Sequence, residues 1–333
     1  MADIKKQKIA IIIPYFGKFP NYFPFWLKSA YYNPEFTFMI FTDNKNYKSK
    51  KNVLFINMNF SEFKKYFQQI LNFKICLNEP YKICDFRPLF GEALQEYISD
   101  FDFWGFGDID LILGNLSKFI TPEILESHDK IYEFGHLTIL KNNKLCNSLW
   151  KEKHHIKNAY RFDEALRIPT ACHFDEMYGL TEIAREKKIR VYNSVDFADI
   201  DRKKFNFFMI GKQRKILPGL FEWKNGNLTF LCKDGNNVSK QSVAYVHFQK
   251  RPMKVAGKIK NADQFIMIPN KIIPNANALT YLKKQVIVKK YNYYKKDRLK
   301  EMIRNVRFHH AIRQRIYRRF IKKGYRKFIL DRK

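Results

Sequence analysis

The run Ile9-Ala-Ile-Ile-Ile13 stops at Pro14 and contains no polar residue. A strand with one wet face alternates apolar and polar residues, so an unbroken run demands cover on both faces, as in the middle of a parallel sheet. Phe36–Thr42, Val53–Asn57 and Phe101–Gly107 read as further strands. Between them lie stretches with helical character. These are Phe23–Tyr32, closed by Asn33-Pro34; Ser61–Leu71 behind a Ser61 N-cap; and Asp85–Ser99, with Leu89, Ala93, Leu94 and Tyr97 on one stripe. Tyr132–Lys141 and Arg190–Asn193 add strands, and Leu228–Cys232 and Val243–Phe248 two short ones on either side of Gly235. Strands alternating with helices predict an α/β layered fold with a mostly parallel central sheet flanked by helices. With 46% hydrophobic residues, the 333-residue chain can fill that core, which excludes general disorder.

The net charge of +30 is unevenly spread. Residues 281–333 hold 20 Lys/Arg against 3 Asp/Glu, a balance of +17 in about a sixth of the chain. Within 295–330, Leu299, Ile303, Val306, Ile312, Ile316 and Phe320 recur at helical spacing among the basic residues, which predicts a basic amphipathic helix. The expected organisation is a domain over residues 1–255 and a linker with a basic helical C-terminal extension over 256–333. Such a charge asymmetry calls for an anionic partner, a membrane surface or nucleic acid. No recognisable nucleic-acid module accompanies it, which disfavours the second. Cys76, Cys84, Cys146, Cys172 and Cys232 form no Cys-x-x-Cys pair and leave one over, a pattern that fits a reducing cytosol. No apolar stretch reaches the roughly 18 residues of a membrane span, so the expectation is a cytoplasmic protein, peripheral at the inner face of a membrane.

Three Asp-x-Asp pairs occur: Asp100/Asp102, Asp108/Asp110 and Asp199/Asp201. Ligands of open α/β sheets bind beyond the carboxyl ends of the strands. Only Asp108/Asp110 directly follows a long apolar strand, Phe103-Trp-Gly-Phe-Gly107, whose glycines would let a ligand approach. Carboxylates at i and i+2 both reach one hard cation, and that cation bridges phosphate oxygens.

The stretch Lys82-Ile-Cys-Asp-Phe-Arg-Pro-Leu-Phe-Gly-Glu-Ala-Leu94, followed by Phe-Gly-Asp-Ile-Asp110, resembles a pattern of several GT-A glycosyltransferase families. In the clostridial-toxin-like and mannosyltransferase-like families a Ser-Asp-x-x-Arg element opens a helix about twenty residues ahead of the Asp-x-Asp. Here Cys84 stands for the serine and the arginine, Arg87, comes one place earlier. The resemblance implies that Asp85 binds hydroxyls of a donor sugar and that Arg87 binds sugar or phosphate. Downstream, Tyr245-Val-His-Phe-Gln-Lys-Arg-Pro252 resembles the glycogenin-like His-Phe-x-Gly-x-x-Lys-Pro element, without its glycine. It implies His247 as third metal ligand beside Asp108 and Asp110, and Lys250, or its neighbour Arg251, at the diphosphate. Ile-Pro-Tyr-Phe-Gly17 and Phe-Thr-Asp-Asn44 match the first two strand ends of GT-A enzymes, which makes Pro14, Tyr15, Phe16 and Asp43 nucleotide contacts.

His173-Phe-Asp-Glu176 offers a carboxylate, Asp175 or Glu176, as general base for an inverting enzyme or as a sugar ligand in a retaining one. The Gly135–Asn142 stretch is placed on the acceptor side. The resemblance spans roughly residues 7–253 and looks closest to bacterial proteins of capsule and lipopolysaccharide loci. It implies a GT-A, Rossmann-like domain that uses a divalent metal, Mn²⁺ before Mg²⁺. The implied reaction passes a hexose from a nucleotide sugar, UDP first, to a saccharide or lipid-linked saccharide in surface polysaccharide synthesis. Residues 281–333 would dock on anionic membrane. A metal-dependent phosphohydrolase or nuclease would share Asp108/Asp110 but give no reason for His247 and Lys250. A non-enzymatic basic binding module would leave the ordered motifs unexplained.

Overall fold

The computed structural model describes residues 7–157, 159–176, 179–257 and 263–288. The chain divides into two compact units, Met1–Asp201 with Asn206–Ile287, and Arg202–Phe205 with Val288–Lys333. The elements below belong to the first. The amphipathic helix expected over 295–330 lies outside the described residues.

Sixteen strands are formed among the described residues: β1 (Ile9–Pro14), β2 (Phe36–Thr42), β3 (Val53–Asn57), β4 (Phe103–Gly107), β5 (Leu111–Leu113), β6 (Lys130–Phe134), β7 (Leu137–Lys141), β8 (Val191–Tyr192), β9 (Ala198–Asp199), β10 (Gly219–Lys224), β11 (Asn227–Asp234), β12 (Asn237–Ser242), β13 (Tyr245–His247), β14 (Lys254–Val255), β15 (Gln264–Ile268) and β16 (Lys271–Pro274). The central seven-stranded sheet runs β3-β2-β1-β4-β7-β6-β8. From β3 to β4 every pairing is parallel; β7 is antiparallel to both β4 and β6, and β8 returns parallel to β6. This is the mixed α/β, parallel-rich architecture expected from the sequence.

The apolar strands are unbroken because both faces are covered. On one face Ile9, Ile11, Ile13, Phe38 and Ile40 pack with Phe23, Trp26 and Leu27 of the helix Phe23–Tyr31. On the other, Phe41 meets Phe63 of the helix Phe60–Gln69 at 5.3 Å between ring centres. At β4 a closer constraint operates. A Cβ on Gly105 would lie 2.3 Å from the Thr138 carbonyl oxygen of the neighbouring strand. The glycine serves sheet packing, not the ligand approach expected of it. Gly105→Ala is expected to destabilise the fold by about 3 kcal/mol, at the upper end of overpacking costs, because backbone rather than a movable side chain blocks the methyl. Chemical denaturation measures this directly.

Several local expectations are corrected. The second helix is capped by Asn59, not Ser61: Asn59 accepts from the Glu62 N–H while the Glu62 carboxylate accepts from the Asn59 N–H. This reciprocal box is worth about 1 kcal/mol. Asp85–Ser99 is not one helix. Pro80–Leu89 winds as a 3₁₀ segment, followed by two single turns, Phe90–Ala93 and Gln95–Ile98. Pro88 contributes no N–H to an α-helical ladder, which favours the tighter winding before it. Tyr132–Lys141 is a hairpin, β6 and β7, turned at Gly135-His136.

The first unit also runs past the boundary expected at 255. β14, β15 and β16 join β12, β11 and β10 in a six-stranded sheet, and the helix Ala278–Lys283 buries Ala278 and Leu282 against Leu220, Leu231 and Ile266. This apolar packing reaches Leu282, and the compact unit extends to Ile287. A third sheet, β5-β13-β9, ties the end of the Asp108 loop to His247: β13 pairs antiparallel with β5 and parallel with β9.

Candidate active site

The three-stranded sheet creates the site. Leaving β4, the chain places Asp108, Ile109 and Asp110 before β5 begins; β13 lies against β5, so His247 pairs with Leu111. One ligand atom each from Asp108, Asp110 and His247 falls within 4.8 Å of the others. His247 Nε2 lies 3.6 Å from Asp110 Oδ1. The other oxygen of Asp110 accepts the Lys250 N–H at 2.6 Å. Gln249 and Lys250 both hold left-handed backbone, with φ of 48° and 59° and no glycine. Such strain costs on the order of 1 kcal/mol per residue, and the Asp110 carboxylate at the Lys250 N–H helps to hold the turn. The ammonium of Lys250 sits 3.7 Å from the centre of the Tyr81 ring.

Asp199, from the Asp-x-Asp pair that its position in the sequence did not favour, belongs to this centre. Its Oδ1 lies 2.9 Å from His247 Nδ1, and its carboxylate accepts both contacts of the Gln249 amide. A carboxylate behind one ring nitrogen fixes the orientation and tautomer of the other, which is how metal-binding imidazoles are held. Burial works against charge on His247, but Asp110, Asp199 and Asp108 outweigh it and raise its pKa to about 10. Burial likewise opposes ionisation of Asp110, and His247 and the Lys250 N–H overcome it, holding its carboxyl down at about 2.

Arg87 links this centre to the hairpin turn. It reaches Asp108 through Nη2, and through Nη1 it donates to Asp175 Oδ2 at 3.0 Å and to the Gly135 carbonyl at 2.8 Å. Glu176 accepts from the Gly135 N–H at 2.9 Å. The turn must approach this closely, since a Cβ on Gly135 would stand 2.5 Å from Asp175 Oδ2. Burial pushes the Asp175 pKa well above the carboxylate range against the pull of Arg87, and the nearby acids Glu176, Asp85 and Asp108 add to it. His136, in the same turn, is buried; its Nδ1 lies 2.9 Å from the Tyr245 hydroxyl, and desolvation with His247 nearby keeps it neutral.

The other sequence candidates fall less evenly. Asp85 is fully buried. Its oxygens accept from the Cys172 and Phe174 N–H groups, each at 2.8 Å, and from the Lys82 ammonium. With its oxygens turned to protein donors, Asp85 anchors the segment that carries Asp175 and is not a donor-sugar ligand. Arg251 is buried and donates to Asn270, so of these two neighbours Lys250 is the one at the centre, through its N–H to Asp110. Asp43 accepts the Gly17 N–H at 2.7 Å and so joins the ends of β1 and β2. Pro14 ends β1; Tyr15 stacks on Phe19, and Phe16 packs on Phe60 and Phe63. The Tyr15 hydroxyl has a raised pKa, from burial first and then from Asp110, which puts it within electrostatic reach of the centre.

The model of a family described as "Family of unknown function (DUF6625)" matches residues 11–276. This chain belongs to that family. Among curated proteins none matches it. Among solved structures it is similar to the galactosyltransferase LgtC in complex with donor and acceptor sugar analogues, at 14% identity and TM-score 0.33 over 57% of this chain and 75% of that one. An active-site mutant of LgtC is similar at 14% identity and TM-score 0.38, over 74% and 88%. The glycosyltransferase GlyE of Streptococcus pneumoniae TIGR4 is similar at 11% identity and TM-score 0.31, over 57% and 46%.

Proposed function

We propose that this protein is a metal-dependent glycosyltransferase of GT-A type that passes a hexose from a nucleoside-diphosphate sugar, UDP first, to a saccharide acceptor. One observation carries the reading: Asp108, Asp110 and an Asp199-oriented His247 gather at the carboxyl end of a parallel strand, with Lys250 alongside. Two carboxylates and an imidazole suit a borderline cation such as Mn²⁺, with Mg²⁺ the harder alternative. When bound, that cation supplies Lewis-acid stabilisation of the charge that develops on a departing diphosphate.

The chain's own groups do the remaining work. Lys250 stands where it adds positive charge to the leaving nucleotide. Arg87 holds Asp108 and Asp175 in fixed relation, and Asp175 and Glu176, both against the Gly135 turn, are the carboxylates proposed for the sugar. Asp175 or Glu176 serves as general base at an acceptor hydroxyl if the enzyme inverts, and binds sugar hydroxyls if it retains. Pro14, Tyr15, Phe16 and Asp43, at the β1 and β2 ends, take the nucleotide. A lipid-linked saccharide acceptor, surface polysaccharide synthesis and docking of residues 281–333 on anionic membrane complete the reading. Among the described residues, no helix is long and apolar enough to cross a membrane.

The reading is tested by release of UDP from UDP-hexoses in the presence of Mn²⁺ and saccharide acceptors. Acceptor-dependent release supports it; UDP freed equally without acceptor would instead mark a hydrolase.

Two further outcomes follow from the geometry. Asp199→Asn removes the anion behind His247 without changing its shape, and is expected to lower Mn²⁺ affinity about 10- to 100-fold, read by Mn²⁺ electron paramagnetic resonance. The proton on His247 must also leave before its nitrogen binds metal. Since its pKa rises from 6.5 to about 10, that proton is held throughout the neutral range. Mn²⁺ affinity is therefore expected to climb as pH rises towards 10, with proton release on binding. Calorimetry in buffers of different ionisation enthalpy measures it.

A further inference from the structure

Away from this centre, the six-stranded sheet carries a surface that the reaction does not use. In antiparallel β11 and β12 directly opposed residues share a face. Leu231 opposes Lys240 and Lys233 opposes Val238, so all four lie on the face to which the helix Ala278–Lys283 packs. The helix covers Leu231 and Leu220 but stops short of the edge strand β12, every residue of which is exposed. A cavity of about 710 Å³ remains there, lined by Lys233, Asn236, Val238, Lys240, Leu279, Leu282 and Lys283.

The lining combines three ammonium groups with three aliphatic side chains and holds no acid. Large exposed apolar residues collect on the same side of the chain: Leu279 is 47% exposed and Val238 42%. Just beyond the helix, Val286 is 70% and Ile287 45% exposed. In sequence the segment then continues into the Lys/Arg-rich residues of 281–333. Aliphatic side chains among lysines, without aromatic rings, are what an interfacial lipid surface accepts: stems and methyl groups enter the headgroup boundary while ammonium groups meet lipid phosphates. Single-stranded nucleic acid would instead call for aromatic stacking platforms.

We infer that the groove between β12 and the helix Ala278–Lys283 is a docking face for anionic lipid bilayer. This goes beyond the function proposed above, which placed lipid contact in the basic C-terminal sequence, and it holds whether or not the centre at Asp108 transfers sugar.

Co-sedimentation of the full chain with vesicles tests it, using phosphatidylcholine alone and an equal mixture with phosphatidylglycerol. Lys233→Gln, Lys240→Gln and Lys283→Gln together leave 281–333 otherwise intact. At about fivefold per lysine near an anionic surface, this variant is expected to bind mixed vesicles at least tenfold more weakly. Val238→Asn with Leu279→Asn, both at exposed positions, is expected to weaken binding as well. Wild-type binding to mixed vesicles should far exceed binding to neutral ones. Affinity within twofold of wild type for the lysine variant, or equal binding of wild type to both vesicles, would each overturn the inference.

Discussion

Asp110→Asn is expected to abolish sugar transfer, lowering it by about three orders of magnitude or more, while the protein still folds. A cation at a developing phosphate charge is worth several kcal/mol of transition-state stabilisation, and each 1.36 kcal/mol is about tenfold in rate. Asp110 contributes in two ways: one oxygen faces His247 Nε2, and the other fixes the Lys250 turn through its N–H. Asparagine keeps an acceptor for Lys250 but removes the charge that a cation needs. The fold survives because the Asp199 carboxylate still holds His247 from behind. Circular dichroism and turnover on the same preparation check both halves, and wild-type-like turnover would contradict the metal reading.

Arg87→Ala is expected to act on stability as strongly as on activity. The guanidinium is 13% exposed and bridges Asp108, Asp175 and the Gly135 carbonyl. Its removal leaves the buried Asp175 and the partly exposed Asp108 without their shared cation, and deleting one partner of such a network costs about 3–5 kcal/mol. Arg87→Lys keeps a charge but not the fork that spans two acids, so it is expected to recover only part of the loss. Urea denaturation of the three proteins orders them as wild type, lysine variant, alanine variant.

The sequence carried the central sheet clearly because β1, β2 and β4 are buried on both faces, and such strands announce themselves as unbroken apolar runs. It carried the six-stranded sheet poorly: β12 is Asn-Val-Ser-Lys-Gln-Ser, exposed throughout, with no apolar pattern to read. Asp108, Asp110 and His247 were legible as a group since a strand end and two ordered motifs pointed to them. Asp199 was not, because β9 is only two residues long and gives its Asp-x-Asp no strand context. Asp85 was misread for the opposite reason. Its motif was visible, but full burial beside Lys82 and two backbone N–H groups depends on where residues 165–174 pass, which no local pattern reveals.

The central claim is that a cation held by Asp108, Asp110 and His247 and a nucleotide sugar bind this chain together. Thermal denaturation across a panel of UDP- and GDP-sugars with Mn²⁺ measures that most directly. The account predicts stabilisation by one nucleotide sugar over the others, lost on adding a chelator and absent from Asp110→Asn. Equal melting with every sugar, or stabilisation that persists in chelator and in Asp110→Asn, would contradict it.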